Sequence, residues 1–135
     1  MTEIKSSKGI HISLWIAQGL LAAAFGMAGF MKLFSPVADL AKNGMSFVNH
    51  YEVGTVRFIG VVELLAAVGL ILPSALRIFP RLTPLAAAGL TLVMALATQY
   101  HIKQNESAIA SIVLGLLCLF VAWGRFSKSP ITAKA

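Results

Sequence analysis

Four long apolar runs, separated by short polar clusters, constrain the fold of this chain more than any other feature of its sequence. Of the 135 residues, 58% are hydrophobic and 12% are charged, whereas roughly a quarter of the residues in a soluble domain are charged. Nearly all lysines and arginines lie in the clusters between the runs. Since a helix of about 20 apolar residues crosses a bilayer, the pattern predicts an all-α integral membrane protein.

The runs predict four membrane-spanning helices joined by short connections. Pro73 should end the second helix, and Pro84 fits the first turn of the third, where a backbone N–H is not needed. Residues 37–51 mix polar and apolar side chains, which indicates a short interfacial helix and a loop. Short connections favour an antiparallel four-helix bundle of up-down-up-down order. The predicted spans are residues 12–33, 56–72, 82–100 and 107–123.

Basic residues are divided unequally between the two sides of such a bundle. Seven would share the side of both termini, and four would lie on the other side. Because cytoplasmic loops carry the excess of Lys and Arg, residues 1–11 and the tail, residues 124–135, are predicted to be cytoplasmic. We expect the polar tail to be loosely held. The first group is Lys5, Lys8, Arg77, Arg81, Arg125, Lys128 and Lys134, and the second is Lys32, Lys42, Arg57 and Lys103.

The formal net charge of +6 does not indicate a nucleic-acid partner, because the basic residues lie in separate loops without a continuous basic face. Anionic lipid headgroups beside these loops account for the charge. The lone cysteine, Cys118, excludes an intramolecular disulfide and is expected to be a small buried hydrophobic residue. His50 and His101 lack carboxylate or thiolate companions at metal-ligand spacing, so no metal site is predicted.

The second apolar run carries a carboxylate, Glu63, which lies six positions after Arg57 and ten before Pro73. A charge at this depth costs a few kcal/mol, and such side chains usually face a partner or a water-filled cavity. Two interpretations stay open. Either Lys32 or Arg57 neutralises Glu63 and the pair holds the bundle together, or Glu63 belongs to a ligand or proton site.

Each predicted helix concentrates small and polar residues on one stripe, at spacings of three and four. In lipid such stripes bring helices together, because small residues allow close approach and polar side chains hydrogen-bond across the interface. We therefore expect the four stripes to face one another. They are Gln18, Ala22, Phe25, Gly29 and Lys32; Val56, Gly60, Glu63 and Ala67; Thr91, Met94, Thr98 and His101; and Ser107, Ser111, Leu114 and Cys118.

The depths of these residues predict a pocket that opens on the outward half of the bundle. Glu63 lies about 9 Å below Arg57 at the helical rise, within reach of long basic side chains. We predict that Glu63 floors this pocket and that Lys32, Arg57, Thr98 and His101 ring it. Imidazole titrates near neutral pH, which makes His101 a candidate proton-handling group. Second choices, off the stripe, are Tyr100 and Gln99.

Plainer interpretations of the same residues stay open beside the pocket. Lys32 lies at a helix end, where a lysine can simply snorkel to the interface. Arg57 can be an interfacial anchor or an ion-pair partner, and His101 can be a polar boundary residue.

Two segments carry a family resemblance. The first span ends with residues 28–33, AGFMKL, and the second begins with residues 57–64, RFIGVVEL. Together with a third span that ends near His101, this order resembles the DoxX-like family of small four-helix bacterial membrane proteins over residues 12–123. The resemblance implies a protein of the bacterial inner membrane. The polar core that it implies is Glu63, Arg57, Lys32 and His101.

The resemblance also implies a link to redox chemistry. Some members are similar to the membrane subunit of a thiosulfate:quinone oxidoreductase, and others associate with redox or thiol-stress proteins. Our leading hypothesis is an accessory or redox-linked subunit that binds a small amphipathic ligand, with a quinone as the candidate cofactor. The expected partners are the lipid bilayer and either a second copy of the chain or a redox subunit.

Two other hypotheses stay open: a small oligomeric transporter or channel, and a structural module that binds another membrane protein. Whether the chain is an enzyme is left open. A self-contained thiol-driven reductase is excluded, because such chemistry requires paired cysteines and the chain has one.

Overall fold

The structure is a computed structural model that describes residues 7–134, so the prediction for Lys5 lies outside the described residues. Within this range there is no strand, and four helical segments are long and apolar enough to cross a membrane; the fourth, Ile109–Lys128, includes a π-helical turn at its end. The predicted all-α membrane fold is therefore confirmed. The helices are α1 (Lys8–Phe34), α2 (Val37–Lys42), α3 (Val53–Leu76), α4 (Leu82–Lys103) and α5 (Ile109–Trp123), with a 3₁₀ turn at Ser46–Asn49 and a π-helical turn at Gly124–Lys128.

The long helices α1 and α3 approach each other most closely at two glycines. A Cβ atom added to Gly29 would lie 2.8 Å from the carbonyl oxygen of Gly60, and one added to Gly60 would lie 2.9 Å from that of Gly29. Since real Cβ atoms do not come this near, both positions require glycine. This contact brings the last turn of α1 against the first half of α3.

Contacts at the helix ends indicate how consecutive long helices are arranged. The start of α4 meets the end of α3, where Ser74 Oγ donates a hydrogen bond to Thr83 Oγ1. At the far end of α4, Thr98 Oγ1 and Ser111 Oγ of α5 lie 2.8 Å apart. The end of α5 returns to the start of α1, where Gly124 packs against Leu14. These contacts fit the expected up-down-up-down order.

The predicted stripes lie inside the bundle on α1 and α3. Gln18, Gly29 and Lys32 of α1 and all four stripe residues of α3 are buried. On α4 the buried face is shifted, since Ala87 and Leu90 are buried whereas the polar stripe residues are only partly covered. The small Ala87 and the apolar Leu90 fill the bundle interior better than threonines do. Large apolar side chains cover much of the outer surface, as lipid contact requires.

Helix α3 continues through Pro73 to Leu76, so the prediction that Pro73 ends the second span is wrong. A proline inside a helix leaves the carbonyl four residues earlier without its partner. Here that carbonyl belongs to Gly69, and Thr83 Oγ1 donates to it at 2.8 Å. Hydroxyls of neighbouring helices commonly satisfy such carbonyls in membranes, and this bond explains why the helix does not stop.

The ends of the chain also differ from expectation. Helix α4 extends to Lys103, so His101 lies in its last turn. The tail is tied down rather than loosely held, because the backbone carbonyls of Ser129 and Thr132 accept hydrogen bonds from arginine side chains. Residues 37–51 form the short helix α2, a break at Gly44 and the 3₁₀ turn.

Candidate functional site

A buried ion pair joins the last turn of α1 to the first half of α3. Lys32 Nζ of α1 lies 2.5 Å from Glu63 Oε1 of α3, and the two side chains are 11% and 1% exposed. The glycine contact between Gly29 and Gly60 positions them, since each charged residue follows its glycine by three positions on the same face. The charge of Glu63 is thus compensated from a neighbouring helix.

Arg57 does not contact Glu63. Its Nη1 atom donates to the backbone carbonyls of Lys32 and Ser35, each at 2.7 Å. The last carbonyls of a helix lack partners within it and carry partial negative charge, so the guanidinium satisfies and neutralises the end of α1. Arg57 therefore holds the backbone from which Lys32 projects.

A cavity of about 380 Å³ lies between α3 and α4, and the Lys32–Glu63 pair lines it. This volume is within the range of small-molecule sites. His101 and the two tyrosines, Tyr51 and Tyr100, also line it. The rest of the wall is apolar and consists of Phe47, Phe58, Ile59, Val62, Val93, Met94, Leu96 and Ala97.

Of the predicted site residues, the structure brings Lys32, Glu63 and His101 to this cavity. His101 Nδ1 lies 3.5 Å from Glu106 Oε2, within ion-pair distance but without the alignment of a hydrogen bond. Thr98 is not part of the wall, because its hydroxyl turns to Ser111 of α5. Arg57 is likewise outside the wall.

Aromatic side chains line the cavity, and of Phe47, Tyr51 and Tyr100 the sequence pattern singled out Tyr100 alone. The 3₁₀ turn places Phe47 with its ring centroid 5.4 Å from Lys32 Nζ, a cation–π contact. The rings of Tyr51 and Tyr100 lie 6.2 Å apart. Ser46 fixes the turn by donating to the carboxylate of Glu106 at 2.7 and 2.9 Å.

Tyr100, a second choice from the sequence, therefore lines the cavity. Gln99, the other second choice, is exposed. A helical periodicity could not reveal Phe47 and Tyr51, because they lie in an irregular segment. The sequence feature that could have indicated these two aromatics is their four-residue spacing within a polar loop.

A second buried polar cluster lies at the opposite end of the bundle. Arg125, 3% exposed, donates from Nε to Gln18 Oε1 at 2.7 Å, and Gln18 Nε2 donates to the carbonyl of Leu70 at 2.6 Å. His11 Nδ1 lies 3.1 Å from Arg125 Nη1. This network joins α1, α3 and the π-helical turn. The sequence predicted Arg125 only as a basic residue of the tail.

The cavity groups can bind oxygen atoms of a ligand. A lysine ammonium has three donors, and Glu63 accepts one of those of Lys32. Glu63 Oε2 is buried and has no hydrogen-bond partner within residues 7–134. The polar corner therefore offers donors and one unused acceptor beside an apolar wall.

The sequence profile of the DoxX-like family matches residues 16–124, which include every residue of the cavity wall. The chain belongs to the DoxX-like family. This result confirms the resemblance based on residues 28–33 and 57–64. Comparison with curated proteins and with solved structures gives no match. With its four helices of spanning length within residues 7–134, the DoxX-like chain is a multi-pass membrane protein.

Proposed function

We propose that this DoxX-like protein is an accessory or redox-linked subunit of the bacterial inner membrane, with both termini in the cytoplasm. Its cavity between α3 and α4 would bind a small amphipathic ligand of the quinone class. One observation carries the proposal: the Lys32–Glu63 pair and His101 line the same cavity as a set of apolar side chains.

The polar corner suits the head of a quinone. A quinone carbonyl accepts a hydrogen bond from the Lys32 ammonium or from the imidazole of His101. The reduced form carries hydroxyls, and Glu63 Oε2 is free of other partners among the described residues. A site with both donors and an acceptor therefore accommodates both oxidation states. Electrons would come from a partner redox protein.

The apolar wall suits a hydrocarbon tail. Phe58 and Leu96 line the cavity and are 66% and 58% exposed, so the cavity reaches the lipid-facing surface between α3 and α4. A tail longer than the cavity can continue into the bilayer there. Ligand sites between bundle helices commonly combine an apolar wall with few polar groups.

The proposal is tested by titrating the purified protein in detergent with a short-chain quinone and measuring the heat of binding by calorimetry. Glu63→Gln should weaken binding about tenfold, because the amide cannot replace the carboxylate beside Lys32; a tenfold loss corresponds to about 1.4 kcal/mol. Glu52→Gln is the matched control, since Glu52 is exposed and lies outside the wall.

A second pair of variants leaves the ion pair intact. Ala97→Phe fills the apolar part of the cavity and should abolish binding, whereas Ala95→Phe on the exposed side of α4 should not. Unchanged affinity in both Glu63→Gln and Ala97→Phe would contradict a ligand site here.

The partner is tested separately by cross-linking in membranes. A second copy of the chain gives a homodimer band, and a redox subunit gives a band of different mass that depends on its presence. The absence of both bands would contradict the accessory role. Ligand binding would still be decided by the titration.

A further inference from the structure

We propose that the connection between α3 and α4, together with the tail, binds the phosphate headgroup of an anionic phospholipid. This site lies at the opposite end of the bundle from the quinone-class cavity and is independent of it. The segments enclose an open cavity of about 610 Å³. Its lining residues are Arg77, Ile78, Phe79, Pro80, Arg81, Leu82, Ile131, Ala133 and Lys134.

All charged side chains that line this cavity are basic. Arg77, Arg81 and Lys134 line it, and no acidic side chain does. The acidic residues of the described range lie elsewhere: Glu63 lies in the bundle interior, and the others follow the far ends of α1 and α4 or precede α3. No carboxylate side chain within residues 7–134 therefore neutralises these three cations. Apart from Glu63, the acidic residues within residues 7–134 are Asp39, Glu52 and Glu106, and Glu3 lies outside the described residues.

The arginines have unused donors. Arg77 uses Nε to bond the carbonyl of Thr132 at 2.7 Å, and no hydrogen bond within the described residues involves its Nη atoms or the side chain of Arg81. Guanidinium groups bind phosphate oxygens through paired N–H groups. Two such groups and an ammonium around one cavity form a phosphate-binding set.

The connection contains two residues with positive φ, and the tail is hydrogen-bonded to one of them, Arg77. Arg77 has a φ of 57° and Phe79 a φ of 47°, the left-handed region that non-glycine residues rarely adopt. The Lys134 N–H donates to the carbonyl of Arg77 at 2.8 Å, and the Thr132 bond adds a second tie. The tail thus keeps three cations around a common space.

Exposed apolar side chains indicate a lipid rather than a free phosphate. Ile78, Phe79 and Leu82 are 54%, 76% and 49% exposed beside the cations. They lie where two membrane-spanning helices end, which is the depth of the lipid headgroups. An anionic phospholipid places its phosphate at the cations and its acyl chains against these residues; a free phosphate leaves them in water. Basic segments at this position attract anionic lipids.

The test measures binding of a fluorescent phosphatidylglycerol to the full chain in non-ionic detergent. Unlabelled phosphatidylglycerol, phosphatidylcholine with the same acyl chains and inorganic phosphate serve as competitors. Phosphatidylglycerol should compete at least fivefold better than either alternative. Equal competition by phosphatidylcholine would overturn the charge argument, and equal molar competition by inorganic phosphate would overturn the assignment to a lipid.

Variants assign the binding to this cavity. Arg81→Gln should weaken binding about fivefold, the effect of one cation near a membrane surface. Lys134→Gln should have a similar effect, and its exposed tail position keeps the test valid if Arg81→Gln does not fold. Lys103→Gln, an exposed cation at the far end of α4, is the control. Wild-type affinity in both test variants would place the lipid elsewhere.

Discussion

The side chain of Glu63 is 1% exposed and contacts the Lys32 ammonium at 2.5 Å. Both charges have left water, so each depends on the other for compensation. Removing one member of a buried pair is costly because the remaining charge has neither water nor a counter-ion. Replacing both members by apolar residues avoids that cost. The pair can thus be tested by comparing single and double substitutions.

We expect Glu63→Leu to destabilise the protein by about 3–5 kcal/mol, because Lys32 is left buried without its partner. The double variant Lys32→Met with Glu63→Leu should recover most of this loss. Thermal unfolding in detergent, followed by circular dichroism, measures the difference. If the double variant is as unstable as the single one, the unpaired charge of Lys32 is not the cause of the lost stability.

A basic partner for Glu63 could be predicted, because a charge inside a membrane requires compensation and the helical spacing put Lys32 on a facing stripe; the sequence left Lys32 and Arg57 open as that partner. The hydrogen-bonding role of Arg57 could not be predicted from the sequence. Its position on α3 gave its depth but not its hydrogen-bond partners, and the backbone carbonyls that it contacts depend on where α1 ends. The prediction that Thr98 rings the pocket differs from the structure for a similar reason, since its hydroxyl hydrogen-bonds to Ser111 on α5.

At the scale of helices, contacts between small groups decide where elements pack and where they end. Pro73 lies inside α3 because Thr83 of α4 supplies the donor that the Gly69 carbonyl lacks. The closest contact of α1 and α3 depends on Gly29 and Gly60. Hydropathy predicted the spans but not these contacts, which join residues from different helices.

Thr83→Val should destabilise the protein by about 1–3 kcal/mol, the cost of leaving a buried carbonyl without a partner. Thr91→Val provides the matched control, because the Thr91 hydroxyl donates to the carbonyl of Ala87 within the same helix and links no other element. Thermal unfolding of the two variants distinguishes them. Equal effects would mean that the bond across α3 and α4 is not needed for the helix to pass Pro73.

Gly29→Ala should destabilise the protein by about 1–3 kcal/mol, since an added methyl in a close contact forces the helices apart. Gly19→Ala in the same helix meets nothing within 4 Å and should stabilise by up to about 1 kcal/mol through helix propensity. The prediction fails if both alanine variants unfold at the same temperature as the wild type.

At the scale of the whole molecule, the two ends of the bundle differ in charge. The α3–α4 connection and the tail contain only basic charged residues, whereas the opposite end carries Asp39, Glu52 and Glu106 together with lysines. This asymmetry was visible in the sequence because it depends on composition and span order alone. The cavity walls were not, because they require the path of the 3₁₀ turn.

The predicted orientation can be read from thiol labelling of intact spheroplasts. In a Cys118→Ala background, Asn105→Cys should react with a membrane-impermeant maleimide, and Lys128→Cys should react only after the membrane is opened. Both positions are exposed, so access depends on the side of the membrane. The reverse pattern would place the basic end outside and contradict the positive-inside assignment.

The exposed side chains of Phe58 and Leu96 lie at the rim of the α3–α4 cavity. They determine which ligand concentration, that in the bilayer or that in water, sets the occupancy of the cavity. A molecule entering there comes from the hydrocarbon layer, where partitioning has already concentrated it far above its aqueous level. Occupancy then follows mole fraction in the bilayer. Diluting the protein with extra lipid should empty such a site, whereas enlarging the water volume should leave it filled.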